Sequence, residues 1–212
     1  MKINWVEKMF GLIKGAKINN DIQLKEEYQI DGNWIYANVS AEKIRNVIEK
    51  FTEIEKGNRF CLFIEIPANI EDENVIGMSE DGFYQTDGKH IDVYYLDNID
   101  DDYIKYVLDE FGDILINDGL SHFGVLSQSG REIGKYKYNV IKAYTRDDLL
   151  PLLKVFNSFD MRETDNLITA WNYFSQGNPG ESELYEKDGK TIYDVVEVLK
   201  EIGMYKAEQR EE

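Results

Sequence analysis

The residues with the greatest capacity for chemistry are carboxylates concentrated in the middle of the chain. Between Glu65 and Asp118 there are 16 acidic and two basic residues, a net charge of −14, whereas the whole 212-residue chain carries −17. Solubility alone is served as well by acids spread over the surface. Such a block instead predicts a surface that repels nucleic acid and membranes or attracts a basic partner.

Two carboxylates of this block could serve catalysis. Glu65 ends an otherwise apolar run and Asp92 lies in a second strand-like segment, so the two could meet on neighbouring strands. Paired carboxylates that hold a divalent metal ion occur in hydrolases and nucleases. A metal-dependent hydrolase or nuclease that uses Glu65 and Asp92 is therefore the enzymatic alternative, although the sequence offers no third ligand.

Other catalytic and metal-binding signatures are absent from the sequence. His90, His122 and Cys61 are the only histidines and cysteine, and their spacing forms no zinc motif. Ser121 precedes His122, but neighbours in a strand point to opposite faces, and no Gly-x-Ser-x-Gly motif is present. The aspartates of 97–102 lack the glycine and glutamate of an EF-hand loop. We expect no catalytic residue, no bound metal and no cofactor.

The acids of residues 101–116 fall on one side of a predicted helix. Asp102, Asp109 and Asp113 share its outer face with Glu110 beside them, and Lys105 is the only basic residue on this helix. Acids in the last two turns oppose the helix dipole, which costs about 0.3–1 kcal/mol each when they are exposed. Helix stability alone would favour lysine there, which indicates a binding surface. A merely solvated outer face is the alternative.

Tyrosines interleave with these acids. Tyrosine is a favoured anchor in protein interfaces because it covers much area with few rotatable bonds and keeps a polar tip. Tyr95 is best explained as part of a sheet face, whereas other tyrosines of the block suit contact with a partner. The predicted partner-binding residues are Tyr84, Tyr94, Asp102, Tyr106, Asp109, Glu110 and Asp113.

Hydrophobic periodicity predicts the elements that must position these residues. Predicted helices cover 3–14, the stretch between Ser40 and Gly57, 101–116, 148–156, 165–175 and 192–202. Predicted strands cover 22–30, 34–39, 59–67, 90–96, 121–127, 132–144, 183–187 and 204–210, and 68–89 is a long loop or loose hairpin. This order favours an α+β fold, a mainly antiparallel sheet with helices on one or both faces. We expect one domain over 1–212, with 160–212 as an alternative C-terminal appendage.

Several local predictions accompany this assignment. A turn joins the first two strands at 31–33, and the strand at 59–67 is central and covered on both sides. Lys135 and Lys137 share one face of the basic strand 132–144. Trp171 lies in the core with its helical neighbours, and Thr191 caps the last helix together with Asp194.

Composition restricts the class of protein. With 42% hydrophobic and 31% charged residues and no apolar run near the roughly 20 residues of a membrane span, the chain is expected to be globular, without membrane association. A single cysteine is typical of a reducing cytoplasm, which is the expected location. The basic segment 131–146 is too short, in so acidic a chain, to indicate nucleic-acid binding.

The acidic block also carries a resemblance. From Asp92-Val93-Tyr94-Tyr95-Leu96-Asp97 through Asp113 the chain resembles small acidic bacterial immunity proteins of secreted-toxin systems, which are commonly α+β proteins without catalytic motifs. The resemblance is one of character and covers about a quarter of the chain. It implies a cytoplasmic protein that binds and neutralises a basic partner such as a toxin domain. A housekeeping protein whose charge only maintains solubility is the remaining non-catalytic alternative.

Overall fold

The hydrophobic residues of most strands recur at every second position and so assemble into one two-sided sheet. The computed structural model describes residues 10–19, 22–68, 75–78, 84–86 and 89–211, and for 75–78 and 84–86 it describes the backbone alone. Within these residues a nine-stranded sheet is accompanied by helices and by two small two-stranded sheets. The predicted α+β fold is therefore confirmed.

Strands and helices are numbered in chain order. The strands are β1 (Ala16–Lys17), β2 (Glu27–Asp31), β3 (Trp34–Asn38), β4 (Phe60–Pro67), β5 (Val75–Met78), β6 (Tyr84–Thr86), β7 (His90–Ile99), β8 (His122–Ser127), β9 (Arg131–Lys135), β10 (Val140–Thr145), β11 (Arg162–Glu163), β12 (Glu181–Ser182) and β13 (Tyr205–Glu211). The helices are α1 (Ala41–Ile54), α2 (Asp101–Asn117), α3 (Leu150–Asn157) and α4 (Ile192–Lys200), and short 3-10 turns lie at Lys137–Asn139 and Ala170–Tyr173.

The strand order of the large sheet is β11-β2-β3-β10-β9-β8-β4-β7-β13. Every pair in it is antiparallel except β11 with β2, which is parallel. β1 pairs with β12, and β5 pairs with β6. The C-terminal quarter of the chain supplies both edge strands, β11 and β13. None of the described helices combines the length and apolar character needed to cross a bilayer.

Helices cover one face of this sheet, here called the inner face. Its side chains are almost completely buried, among them Ile64 of β4, Phe123 of β8 and Ile133 of β9. Against them pack α1, α3 and α4, and α2 packs against α1. The apolar stripe of each helix points to the sheet because alternate strand residues face it and every third or fourth helix residue meets them. Burial of these stripes is the main stabilising contribution to the fold.

Local signals in the sequence proved dependable. Gly32, at φ +58°, lies in the predicted hairpin turn between β2 and β3. β4 lies between β7 and β8, as predicted for a central strand. The amide of Thr191 donates to Asp194 in the predicted capping box, 2.7 Å from N to Oδ2. The predicted C-terminal edge strand is β13.

The predicted strand 132–144 is wrong, because a turn divides it into β9 and β10. Tyr138 and Asn139 adopt left-handed backbone conformations with φ of 56° and 64°. The buried Asn139 side chain accepts from the amide of Ile13, 2.9 Å away, and donates to two further carbonyls. These tertiary hydrogen bonds stabilise a turn that carries no glycine or proline. Lys135 therefore ends a strand, and Lys137 does not share its face.

Two other predictions fail, and a third extends beyond the described residues. Residues 165–175 form a 3-10 turn at Ala170–Tyr173 instead of a helix, and Trp171 is 54% exposed instead of buried in the core. The strand predicted at 183–187 is replaced by β12. The helix predicted over 3–14 lies largely outside the described residues, and 10–14 are not helical. The two C-terminal segments make contacts with distant parts of the chain, such as Leu167 with Gln29 and Tyr185 with Asp118, which periodicity does not report.

A network of hydrogen bonds made by two buried charged side chains holds the loop between α2 and β8. Lys135 is completely buried, and its ammonium donates to the carbonyls of Asp118 and Ser121. The Asp118 carboxylate, also fully buried, accepts from the amides of Leu120, Ser121 and Tyr185 at 3.0, 2.7 and 2.9 Å. Burial lowers the pKa of Lys135 to about 8. These hydrogen bonds fix the loop up to Ser121 and therefore the position of His122, the first residue of β8.

We predict that Asp118→Ala lowers the free energy of unfolding by about 3–5 kcal/mol, because three amides lose their hydrogen-bond acceptor and the buried Lys135 ammonium loses the nearby negative charge. Asp165→Ala is the matched control: Asp165 is exposed, so its loss should change stability by no more than about 0.5 kcal/mol. Urea unfolding followed by circular dichroism measures both. Equal losses in the two variants would contradict this account of the loop.

Candidate functional site

The outer face of α2 presents the acidic residues singled out from the sequence. Asp100 caps the helix by accepting from the amide of Tyr103, 3.0 Å away. Because the opposite stripe of α2 is buried against the core, Asp102, Tyr106 and Asp109 point to solvent. The side chains of Asp102 and Asp109 are 91% and 62% exposed, and the whole Tyr106 residue is 50% exposed. Glu110 is exposed beside them. We call Asp102, Tyr106, Asp109 and Glu110 the α2 patch.

An aromatic pair forms the middle of the α2 patch. The rings of Tyr103 and Tyr106 lie 5.6 Å apart, inclined at 55°. Tyr103 is half-buried against the core, and burial raises the pKa of its hydroxyl. Tyr106 therefore packs against the half-buried Tyr103, and this contact limits the conformations of the exposed Tyr106 side chain. A pre-ordered tyrosine loses less entropy when it enters an interface.

Basic residues neutralise part of the α2 patch within the chain. Arg45 of α1 makes an ion pair with Asp109 and another with Glu49, the latter at 2.8 Å. Lys105 lies 3.7 Å from a carboxylate oxygen of Asp102. Glu110 makes no ion pair with any described residue. The negative electrostatic field of the α2 patch is therefore weaker than its composition suggests. Glu110 is the carboxylate of the patch whose charge is least neutralised by described basic residues.

Asp113, predicted to bind a partner, has an internal role. Its carboxylate lies 3.2 Å from the ammonium groups of Lys14 and Lys187 and accepts from the hydroxyl of Tyr185 at 3.1 Å. Burial raises the pKa of Asp113, but these three hydrogen bonds outweigh it and hold the pKa below its usual value. Asp113 ties the N-terminal segment and the 185–187 loop to α2.

Tyr94, also predicted to bind a partner, does not join the α2 patch. Tyr94 is only 6% exposed and lies on the inner face, with the ammonium of Lys200 5.0 Å from its ring centroid. The side chain of Tyr84 lies outside the described residues. Tyr95 contributes to the sheet, where its ring meets that of Tyr205 at 6.4 Å.

Glu65 and Asp92 do not meet, because they point to opposite faces of the sheet. Glu65 lies opposite Val93 on β7, and Asp92 lies opposite Ile66 on β4, so the pleat separates the two carboxylates. Asp92, on the inner face, pairs with Lys206 at 2.6 Å. The structure therefore does not build the metal site imagined from the sequence. Among the described residues, no group of three or more histidine, cysteine or acidic side chains could hold a metal ion.

Glu65 instead anchors a polar network on the outer face, the face without helices. Its carboxylate lies 2.9 Å from Nδ1 of His122 on β8 and 2.8 Å from the guanidinium of Arg210 on β13. Burial raises the pKa of Glu65, but the hydrogen bond from His122 and the charge of Arg210 outweigh it and lower that pKa. Burial lowers the pKa of His122, only partly offset by Glu65. Neutral His122 therefore carries its proton on Nδ1, toward the carboxylate, and Nε2 is an acceptor.

Sequence reasoning missed this network. His122, Tyr136 and Lys142 come together from three parts of the chain: the His122 and Tyr136 ring centroids are 4.7 Å apart, and the Lys142 ammonium is 4.1 Å from the Tyr136 centroid. The available signal was the alternation of buried with partly exposed residues in Ile141-Lys142-Ala143-Tyr144 of β10. Without the turn at 137–139, however, the register of this strand could not be assigned.

Comparison with known proteins returned no match. No family model fits the sequence, and no curated protein and no solved structure is significantly similar to the chain.

We predict that His122 sets the onset of acid destabilisation. Its pKa lies below the usual 6.5 in the folded chain, so below pH 6.5 the unfolded chain takes up the proton first. Stability present at neutral pH is then lost as the pH falls, and protonation of Glu65 removes more below about pH 4.5. In His122→Gln the loss between pH 6.5 and 5.5 should be smaller than in the wild type.

His90→Gln, which removes the chain's other histidine, is the comparison. It should change the pH dependence of the unfolding free energy less than His122→Gln does. Urea midpoints at pH 7.5, 6.5 and 5.5 provide the measurement. An unchanged slope in His122→Gln would show that the imidazole is not responsible.

Proposed function

We propose that this chain is a protein-binding protein that engages a basic protein partner through the α2 patch and neutralises it. The observation that carries the proposal is Tyr106, half exposed and steadied by Tyr103, in a ring of exposed carboxylates from Asp102, Asp109 and Glu110. Tyrosine is enriched among the residues that contribute most to binding, and a polar, solvent-accessible rim commonly surrounds such residues.

Charge supports the same proposal through the kinetics of association. The chain carries −17 in total, and most of this charge lies in the segment that contains α2. A field of one sign steers an oppositely charged partner and raises the association rate constant, while the aromatic contact governs dissociation. The ion pair with Arg45 leaves Asp109 in place on the surface of α2, and a lysine or arginine of the partner can replace Arg45 in that ion pair.

The resemblance to immunity proteins suggests the kind of partner. A secreted nuclease toxin has a basic cleft that receives phosphates, and an acidic surface with a tyrosine anchor is complementary to such a cleft. Occupation of that cleft would block the toxin's substrate without any catalysis by this chain. The expected location is the cytoplasm, where such a toxin would act.

We predict that the triple variant Asp102→Lys, Tyr106→Ala, Glu110→Lys fails to capture the partner that the wild type retrieves from its native host. Asp113 is deliberately left in place, because its replacement would break the contacts with Lys14 and Lys187 and confuse folding with binding. The double variant Asp147→Lys, Asp165→Lys is the control, since it makes the same change in net charge at exposed positions away from α2.

Salt dependence completes the test. The association rate constant of the captured partner should fall steeply between 50 and 500 mM salt, on the order of tenfold or more, because screening shortens the reach of the field to a few Å. A rate constant that is insensitive to salt would contradict the proposal. So would equal capture by the triple and double variants, the result expected of a protein whose charge only maintains solubility.

A further inference from the structure

The outer face of the sheet carries a cleft that the proposed partner-binding function does not use. Its volume is about 540 Å³, within the usual range for small-molecule sites. Strands β2, β3, β8 and β10 form its floor, and the segment 167–171 forms one wall. The lining residues that could contact a ligand through charge, a ring or a polar atom are Tyr36, His122, Tyr136, Lys137, Lys142 and Trp171.

Lys142 is the residue of this cleft that favours binding of an anionic ligand. Its side chain is half-buried, and its ammonium sits 4.1 Å from the centre of the Tyr136 ring. No described carboxylate makes an ion pair with it, and Glu65 acts on it only at longer range. A partly desolvated cation that lacks a counter-ion is costly, and burial accordingly lowers the pKa of Lys142. An anionic group placed in the cleft would relieve that cost.

The remaining lining residues indicate a planar ligand. Tyr36, Tyr136 and Trp171 line the cleft with aromatic surface, and Trp171 is exposed although tryptophan is usually buried. Nε2 of His122 is an acceptor, because its Nδ1 is engaged by Glu65. The cleft thus combines a site for an anion, surfaces for a flat ring and an acceptor for a hydroxyl or amine hydrogen.

The wall that holds Trp171 is ordered before any ligand arrives. The backbone amide of Leu167 donates to Oε1 of Gln29 at 2.9 Å, and the side-chain Nδ2 of Asn38 donates to the carbonyl of Ile168 at 2.8 Å. The ring of Trp171 packs edge-on against Tyr138, centroids 5.0 Å apart, and Tyr138 is held at φ 56°. A bulky residue in this backbone region is strained, and such strain is concentrated at functional sites.

From this geometry we infer that the cleft binds a small aromatic anion, with its carboxylate or phosphate on Lys142 and its ring between the aromatic side chains. Two lysines and a single carboxylate, that of Asp31, line the cleft, so its charge opposes that of the chain. A nucleic acid would extend into the surrounding negative field and be repelled. A small anion stays within a Debye length of Lys142 and Lys137, where the local charge dominates.

The test uses isothermal titration calorimetry of the full chain with phenyl phosphate, benzoate and adenosine monophosphate, and with inorganic phosphate and phenol as the two halves of the ligand. We expect at least one aromatic anion to bind at least tenfold more tightly than either half. Comparison of benzoate with phenyl phosphate and adenosine monophosphate shows whether the cleft prefers a ligand with a carboxylate or one with a phosphate. Absence of binding by all three aromatic anions at millimolar concentration would overturn the inference.

Lys142→Met should weaken that binding on the order of tenfold or more, because it removes the ammonium that lies over the Tyr136 ring and would pair with the anion. The same substitution should leave the thermal midpoint unchanged or raise it, since the wild-type ammonium lacks an ion pair. A structural lysine would behave oppositely, with a lowered midpoint. Lys154→Met, on the exposed side of α3, is the control and should bind like the wild type.

Trp171→Ala provides the second, independent variant and should also weaken binding. Tyr173→Ala is its control, because Tyr173 belongs to the same 3-10 turn and is 41% exposed but does not line the cleft. Full affinity in Lys142→Met or Trp171→Ala, or an equal loss in their controls, would contradict the assignment of this cleft.

Discussion

The alternation of side chains across a pleated strand is the constraint on which the rest of this structure depends. Once β4 is paired with β7 and β8, residue Glu65 must face away from the helices and Asp92 must face toward them. Each carboxylate then finds its own cation, and a shared metal ion is excluded by geometry. The same alternation leaves one sheet face apolar under helices and the other polar, aromatic and partly open.

Charge in this chain serves two purposes that the sequence does not distinguish. Asp113 and Asp118 hold loops by accepting hydrogen bonds inside the fold, whereas Asp102 and Glu110 point into solvent. All four belong to the same acidic block. Burial separates them, because a carboxylate that loses water must be hydrogen-bonded by the protein, while an exposed one remains available to a partner.

Long-range hydrogen bonds shape the irregular parts of the chain. Asn139 joins the N-terminal segment to the turn between β9 and β10, and that turn places Tyr138 under Trp171. The wall of the outer-face cleft is therefore a consequence of contacts between residues more than 100 positions apart. Such contacts explain why this region was predicted as a strand and a helix, and why the exposed position of Trp171 was unexpected.

The sequence by itself determined the α+β class, the positions of α1, α2 and α4, the central strand and the acidic outer face of α2. Each of these follows from local periodicity and capping, which neighbouring residues decide. Tertiary structure alone decided that Tyr94 is buried, that Asp113 is an internal anchor, and that His122 and Lys142 share one face. These outcomes depend on strand register and on burial, and both arise only when distant segments pack together.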